Sequence, residues 1–258
     1  MGKVIKCLLL KGIMLFVMAF QSLASDNVQL VKGWLDEYET GKEKVRLKIA
    51  NNLMEIITEE LAEKPIRFNN TIPTDTLNQQ VWYWSAEYFY AVQDYQQALV
   101  YGQKALPLFK DMDGEADCLS LLSLIQFRLC NYNHAAEYAK RCYQIDERTG
   151  DPDIMSSSLN TLAGIYIGAN QPQEAEKYIL KGLSKKAENP SRMAVLLGMA
   201  SEVYHAMGND EKALNYIDKA CQLEQSLKRE DKLMVRLAQK ASVLIGLHEY
   251  KEAEQILS

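Results

Sequence analysis

The chain has 258 residues, 48% hydrophobic and 24% charged, a globular composition with room for one or two domains or one extended repeat array. Thirteen Gly and six Pro are too few for a sheet-rich protein, and the prevalence of Ala, Leu, Glu, Lys and Gln predicts an all-helical one. The net charge of −5 lacks the positive field that phosphate binding draws on, which argues against a nucleic-acid partner.

Residues 1–24 combine a basic start (Lys3, Lys6), the apolar stretch "GIMLFVMAF" and the small residues Ser22 to Ala24. They read as a secretory signal peptide cut after Ala24, with an uncleaved membrane anchor as the alternative, since Lys11 interrupts the apolar part. Export to a periplasmic or other extracytoplasmic space is the expectation. The segment holds Lys3, Lys6 and Lys11 and no acid, so its removal leaves 26 basic against 34 acidic residues. Cys7 precedes the apolar run, where it cannot be the lipidated cysteine of a lipoprotein.

Residues 25–75 follow as a helical cap and loop. "VRLKIANNLMEIITEEL" has apolar residues at helical spacing and can pair with "DNVQLVKGWLDEYE". "KPIRFNNTIPTDT" is then a loop, with Thr74 or Asp75 expected as the N-cap of the next helix.

From residue 76 to residue 258 the sequence repeats. Ala98, Gly102 and Ala105 lie on one helix face, and the spacing recurs as Ala135, Ala139, Cys142; as Ala175, Ile179, Gly182; and as Ala213, Ile217, Ala220. A fifth copy begins at Ala253 and Leu257. Sixteen residues before each leading Ala stand Trp82, Leu119, Leu159, Leu197 and Leu237. Twelve before it stand Ala86, Ser123, Ala163, Ser201 and Ala241; nine before it, Phe89, Gln126, Tyr166, Tyr204 and Leu244. Each unit is a hairpin of two amphipathic helices joined by a turn such as "VQD", "CNYN" or "GND". One hairpin cannot bury its apolar faces alone, so units stack. About five units are expected, the last incomplete.

The stretch "WYWSAEYFYAVQDYQQALVYGQKAL" resembles the tetratricopeptide repeat family through Trp82, Ala86, Phe89, Ala98 and Ala105. The leading Ala recurs at 37, 40, 38 and 40 residues against the family's usual 34, and unit two has Gln126 where a ring is expected, with Phe127 beside it. The resemblance implies an all-α, right-handed superhelical solenoid of stacked antiparallel hairpins. It also implies that the first helices line a concave groove binding a peptide or an extended protein segment. On the face opposite Trp82, Ala86 and Phe89, that groove would carry Tyr83, Trp84, Glu87 and Tyr90 from unit one and Leu121, Leu124 and Arg128 from unit two. Met199 and Glu202 would join from unit four. An apolar anchor of Trp84, Leu121 and Leu124 rimmed by Glu87 and Arg128 is the sharper reading; packing of Trp84, Tyr83 and Tyr90 against the N-terminal cap is the other. A Lys and Asn clamp for a C-terminal carboxylate is lacking on this face.

No phosphate loop, nucleophile elbow or HExxH helix appears, and His134, His205 and His248 fall in three different units, so neither catalysis, a metal nor a cofactor is expected. Cys118, Cys130, Cys142 and Cys221 form no metal-type pair and are expected as free buried thiols, a Cys118–Cys142 bridge being the alternative. The chain resembles the extracytoplasmic repeat regions of bacterial membrane-bound sensor kinases and regulators, which implies a non-enzymatic sensory or interaction region of a longer protein. A self-contained periplasmic scaffold for envelope or secretion machinery is the alternative.

Overall fold

Every regular element is a helix in the computed structural model, which describes residues 27–64 and 66–257. The expected signal peptide lies outside the described residues. The chain divides into two compact units, one ending at Asp94 and one running from Tyr95 to Ser258. None of the described helices is long and apolar enough to cross a membrane.

In the first unit α1 (residues 27–40) buries Val31, Leu35 and Tyr38, spaced by four and three along one face. α2 (Glu43–Glu60) buries Ile49, Leu53 and Ile57 with Ala50 and Met54 beside them. α3 (Thr74–Ala91) buries Leu77, Val81, Ser85, Ala86, Tyr88 and Phe89. Tyr38 joins α1 to α3: its hydroxyl donates to Asn78 at 2.7 Å and its ring meets Trp82 edge-on at 5.1 Å. Lys32 adds an ion pair to Asp94 at 2.8 Å and lies over the Phe89 ring. Asn51 stitches the 61–73 loop to α2 by accepting from and donating to the backbone of Phe68. α3 starts one residue earlier than expected. Pro73 is its N-cap, with no side-chain cap bond, and its carbonyl accepts from Leu77; Thr74 and Asp75 are already helical.

The second unit continues the hairpins. Its helices are α4 (Tyr95–Ala105), α5 (Met112–Arg128), α6 (Tyr132–Thr149) and α7 (Pro152–Gly168). There follow α8 (Pro172–Ser184), α9 (Pro190–Ala206), α10 (Asp210–Ser226), α11 (Glu230–Gly246) and α12 (Tyr250–Leu257). Side-chain caps from Asp111, Asp151, Asn189 and Asn209 satisfy first-turn N–H groups, and Pro152, Pro172 and Pro190 occupy first helical positions that need no donor. The backbones of α5, α7, α9 and α11 each approach the next in that series, whereas those of the even-numbered helices approach only odd-numbered ones, α6 and α8 being joined at the surface by the Lys181–Glu147 ion pair. The odd helices are therefore the closely spaced inner layer.

The repeat register is visible in burial. Ala98, Ala135, Ala175, Ala213 and Ala253 are all buried, and so are Ala86, Ser123, Ala163, Ser201 and Ala241. The large position behaves less uniformly: Leu119 and Leu159 are fully buried, but Trp82, Leu197 and Leu237 are half-buried. In α9 Leu196 takes the core seat because Gly182 leaves room for it; a methyl there would stand 3.0 Å from Leu196. Gln126 is buried, its carbonyl accepting from Asn131 at 2.9 Å, while Phe127 packs edge-on against Tyr132. The structure adds one further repeated position. Three residues after the leading Ala stand Tyr101, Tyr138, Tyr178 and Tyr216; Tyr178 and Tyr216 stack on Tyr166 and Tyr204 at 5.3 and 5.4 Å.

The hairpin turns repeat in the backbone. Gln93, Cys130, Asn170, Gly208 and His248, each five residues before a leading Ala, all have φ between 56° and 74°. The following N–H bonds at 2.8 Å to the carbonyl of Phe89, Gln126, Tyr166, Tyr204 or Leu244, which closes a Schellman turn. Ala62 and Lys228 end α2 and α10 the same way.

Candidate functional site

On α3 the two buried faces leave a half-buried strip of Gln80, Tyr83, Trp84, Glu87 and Tyr90. Its polar atoms pair along the helix at i, i+4 spacing. The Tyr83 hydroxyl donates to Glu87 at 3.0 Å and the Trp84 indole donates to Gln80 at 3.2 Å, with the two rings edge-to-face at 5.9 Å. The Trp82 ring meets Tyr38 of α1, and the Phe89 ring lies beneath Lys32 of α1.

On α5 the expected groove residues separate. Leu124 is 38% exposed and Arg128 is exposed, but Leu121 is only 4% exposed and belongs to the core. α5 is flanked by α4, α6 and α7, so Leu119, Leu121, Leu122 and Ile125 are all buried and little of its circumference stays free. The anchor of Trp84, Leu121 and Leu124 thus loses its middle member.

On α9 Met199 is half-buried and packs on the α7–α9 core, its methyl lying across Gly164 of α7. Glu202, one turn beyond Gly198, accepts a hydrogen bond from the side-chain amide of Gln239 on α11. Burial raises its carboxyl above the usual range, opposed by that hydrogen bond and by the charge of Arg236. Arg236 donates instead to the Gln239 carbonyl at 2.8 Å and sits over Gly198. It also faces Glu224, which has no exposed surface and lies 3.9 Å from Arg236 and 3.5 Å from Arg229.

The histidines do local work. His205 Nδ1 is 2.5 Å from Asp210, and its Nε2 is 3.5 Å from the Ser242 hydroxyl. Ser242 lies inside α11, where the backbone N–H groups are spent on the helix and are not offered to an oxyanion beside it. His248 pairs with Tyr250 at 2.7 Å, and His134 is exposed. The described residues contain no group of three or more His, Cys, Asp or Glu side chains placed to hold a metal.

Among the described residues Cys118, Cys130, Cys142 and Cys221 form no disulfide, so the alternative Cys118–Cys142 bridge is not made. Cys130 is exposed rather than buried because it occupies the left-handed turn residue between α5 and α6. Cys142 lies beside the buried Asp146 carboxylate at 3.5 Å; burial first and that charge second push its thiol up to about 12.

Comparison with known proteins agrees with this architecture. A tetratricopeptide repeat profile matches residues 194–227, the α9–α10 hairpin. None of the curated protein sequences matches. Among solved structures, BtubC from P. vanneervenii is similar over 84% of this chain and 89% of its own, at 18% identity and a TM-score of 0.62. A Rap protein complexed with Competence and Sporulation Factor is similar over 90% of this chain and 74% of its own, at 10% identity and a TM-score of 0.63. NprR in complex with its cognate peptide NprX is similar over 90% of this chain and 65% of its own, at 15% identity and a TM-score of 0.56. At such identities the likeness is one of fold: the chain is an all-helical solenoid of tetratricopeptide-like hairpins.

Proposed function

We propose that the chain is a non-enzymatic binding module that takes a peptide or an extended protein segment along its odd-numbered helices. The observation that carries this reading is the inner layer itself. Consecutive odd helices of the second unit touch, and on them Leu124 and Arg128 are exposed while Met199 and Glu202 keep part of their surface, which supports reading them as one face. One protein of similar fold is described in complex with its cognate peptide and another with Competence and Sporulation Factor, which supports a binding use here. The strip of Tyr83, Trp84, Glu87 and Tyr90 on α3 is a second contact surface, rich in the side chains that make interface hot spots. Export by the first 24 residues would make this the extracytoplasmic sensory or interaction region of a bacterial signalling protein.

The test is selection of a phage-displayed peptide library on the full chain. Leu124→Asp combined with Arg128→Glu on the inner layer should abolish enrichment, and Lys177→Glu on the exposed side of α8 should leave it intact. Equal enrichment by all three proteins would overturn the reading. Export is tested separately: protein recovered from a secreting host should begin at Ser25.

A further inference from the structure

Glu202 is a carboxylate that the fold pushes into the inner layer without a contact ion pair. Among the described residues it makes no ion pair, although Arg236 is close enough to act on it electrostatically. The guanidinium is committed elsewhere. Its Nη1 donates to the Gln239 carbonyl, its Nε faces buried Glu224, and Gly198 beneath it admits the approach. Gln239 is thereby oriented with its amide toward Glu202, and one donated bond fixes a carboxylate that Arg236 offsets only from a distance. A half-buried carboxylate in that position gains from any cation that can reach it.

The surroundings define the cation. Helical spacing places Gly198 and His205 on the face of α9 that carries Glu202, and Val235 and Ser242 on the face of α11 that carries Gln239. Arg236 covers Gly198, and on the other side Val235, 52% exposed, offers an apolar surface for an alkyl stem. Oε1 of Glu202 already accepts from Gln239, which crowds the two-oxygen approach of a guanidinium fork and favours the point charge of an ammonium on the other oxygen.

We propose that Glu202 is the specificity-determining anchor of the inner face and takes a primary ammonium group of an extended peptide. This rests on the binding-module reading above and adds the chemistry of what is bound. The ammonium can belong to a lysine side chain or to the peptide's N-terminal amine, and the test separates them.

The full chain is titrated by fluorescence anisotropy with an array of labelled octapeptides carrying one lysine at each position in turn. Matched sets replace lysine by norleucine, by Nε-acetyl-lysine, or acetylate the N-terminus. The expected result is a preference for lysine over norleucine at one position, lost on side-chain acetylation; if the terminal amine is the ligand, only N-terminal acetylation abolishes it. Glu202→Gln should weaken the preferred peptide on the order of tenfold, the scale of one charge-assisted bond, and leave the norleucine peptide unchanged. Glu147→Gln, on exposed α6 surface, should change neither, and an unaltered melting curve shows that Glu202→Gln is folded. Peptides that bind with no cation preference, or equally well to Glu202→Gln, overturn this proposal alone. No binding by any peptide overturns the binding-module reading with it.

Discussion

A methyl group on Gly198 would stand 2.7 Å from the guanidinium carbon of Arg236, so α9 and α11 meet there only because residue 198 has no Cβ. Arg236 in turn faces Glu224, whose carboxylate has no solvent to fall back on. Gly198→Ala should therefore displace the guanidinium and lower stability by about 1–3 kcal/mol, the usual range for overpacking. Gly164→Ala is the control. Its methyl would make only an ordinary 3.4 Å contact with Met199, so better helix propensity should dominate, stabilising by up to about 1 kcal/mol. Thermal melts of the two variants should move in opposite directions.

The leading alanines forbid bulk where the repeat spacing places them. Ala98, Ala175 and Ala213 have no exposed surface, and Leu at any one of them should cost about 1–3 kcal/mol. Ala91 is exposed at the end of α3, so Leu there should change the melting temperature little. Equal losses at Ala91 and Ala175 would contradict the helix phase.

The turns predict gains. Ala62 and Gln93 adopt φ values of 54° and 64°, which disfavour any side chain by roughly 1–2 kcal/mol, partly offset in glycine by its greater unfolded entropy. Ala62→Gly and Gln93→Gly should each stabilise by about 0.5–1 kcal/mol in denaturant titrations. Gly208→Ala should destabilise by about 1 kcal/mol, because φ is 74° there.

Much of this is legible in the sequence because small residues at fixed spacing have one physical use, the close approach of helices. The five leading alanines and their small partners twelve residues earlier are buried as that spacing requires. The large position fails in α9 because a helix can turn by one residue when a neighbour supplies a gap, and Gly182 supplies it to Leu196. Leu121 is core rather than groove because α5 is flanked by three helices, and an opposite-face rule assumes a helix packed on one side only. The paired tyrosines escape a search for small residues, although Tyr101, Tyr138, Tyr178 and Tyr216 recur in register. The Glu202–Gln239–Arg236 arrangement has no signature, since it joins residues 34 and 37 positions apart through side-chain bonds rather than a motif.

Tyr88 predicts alkaline behaviour. Its ring is fully buried and its hydroxyl has no hydrogen-bond partner among the described residues, and burial, with Glu60 adding to it, pushes its pKa up to about 12. The folded value lies above the unfolded 10.0, so the unfolded chain loses its proton first. This contribution is complete below pH 10 and is lost as pH rises toward about 12. Tyr88→Phe should remove a stranded hydroxyl, raise stability at neutral pH by about 1 kcal/mol, and flatten the alkaline decline in a pH series of melts.

Because the helices of the second unit meet only within a hairpin or between adjacent hairpins, each hairpin is held only by the hairpins on either side of it. Such a stack has no keystone. Pulled from its two ends it should come undone hairpin by hairpin, each rupture releasing a unit of 37 to 40 residues, or roughly 130 Å of slack chain. A tether built this way lengthens under load in instalments and can re-form each one, so a tug on one end reaches the other as a limited force rather than a break.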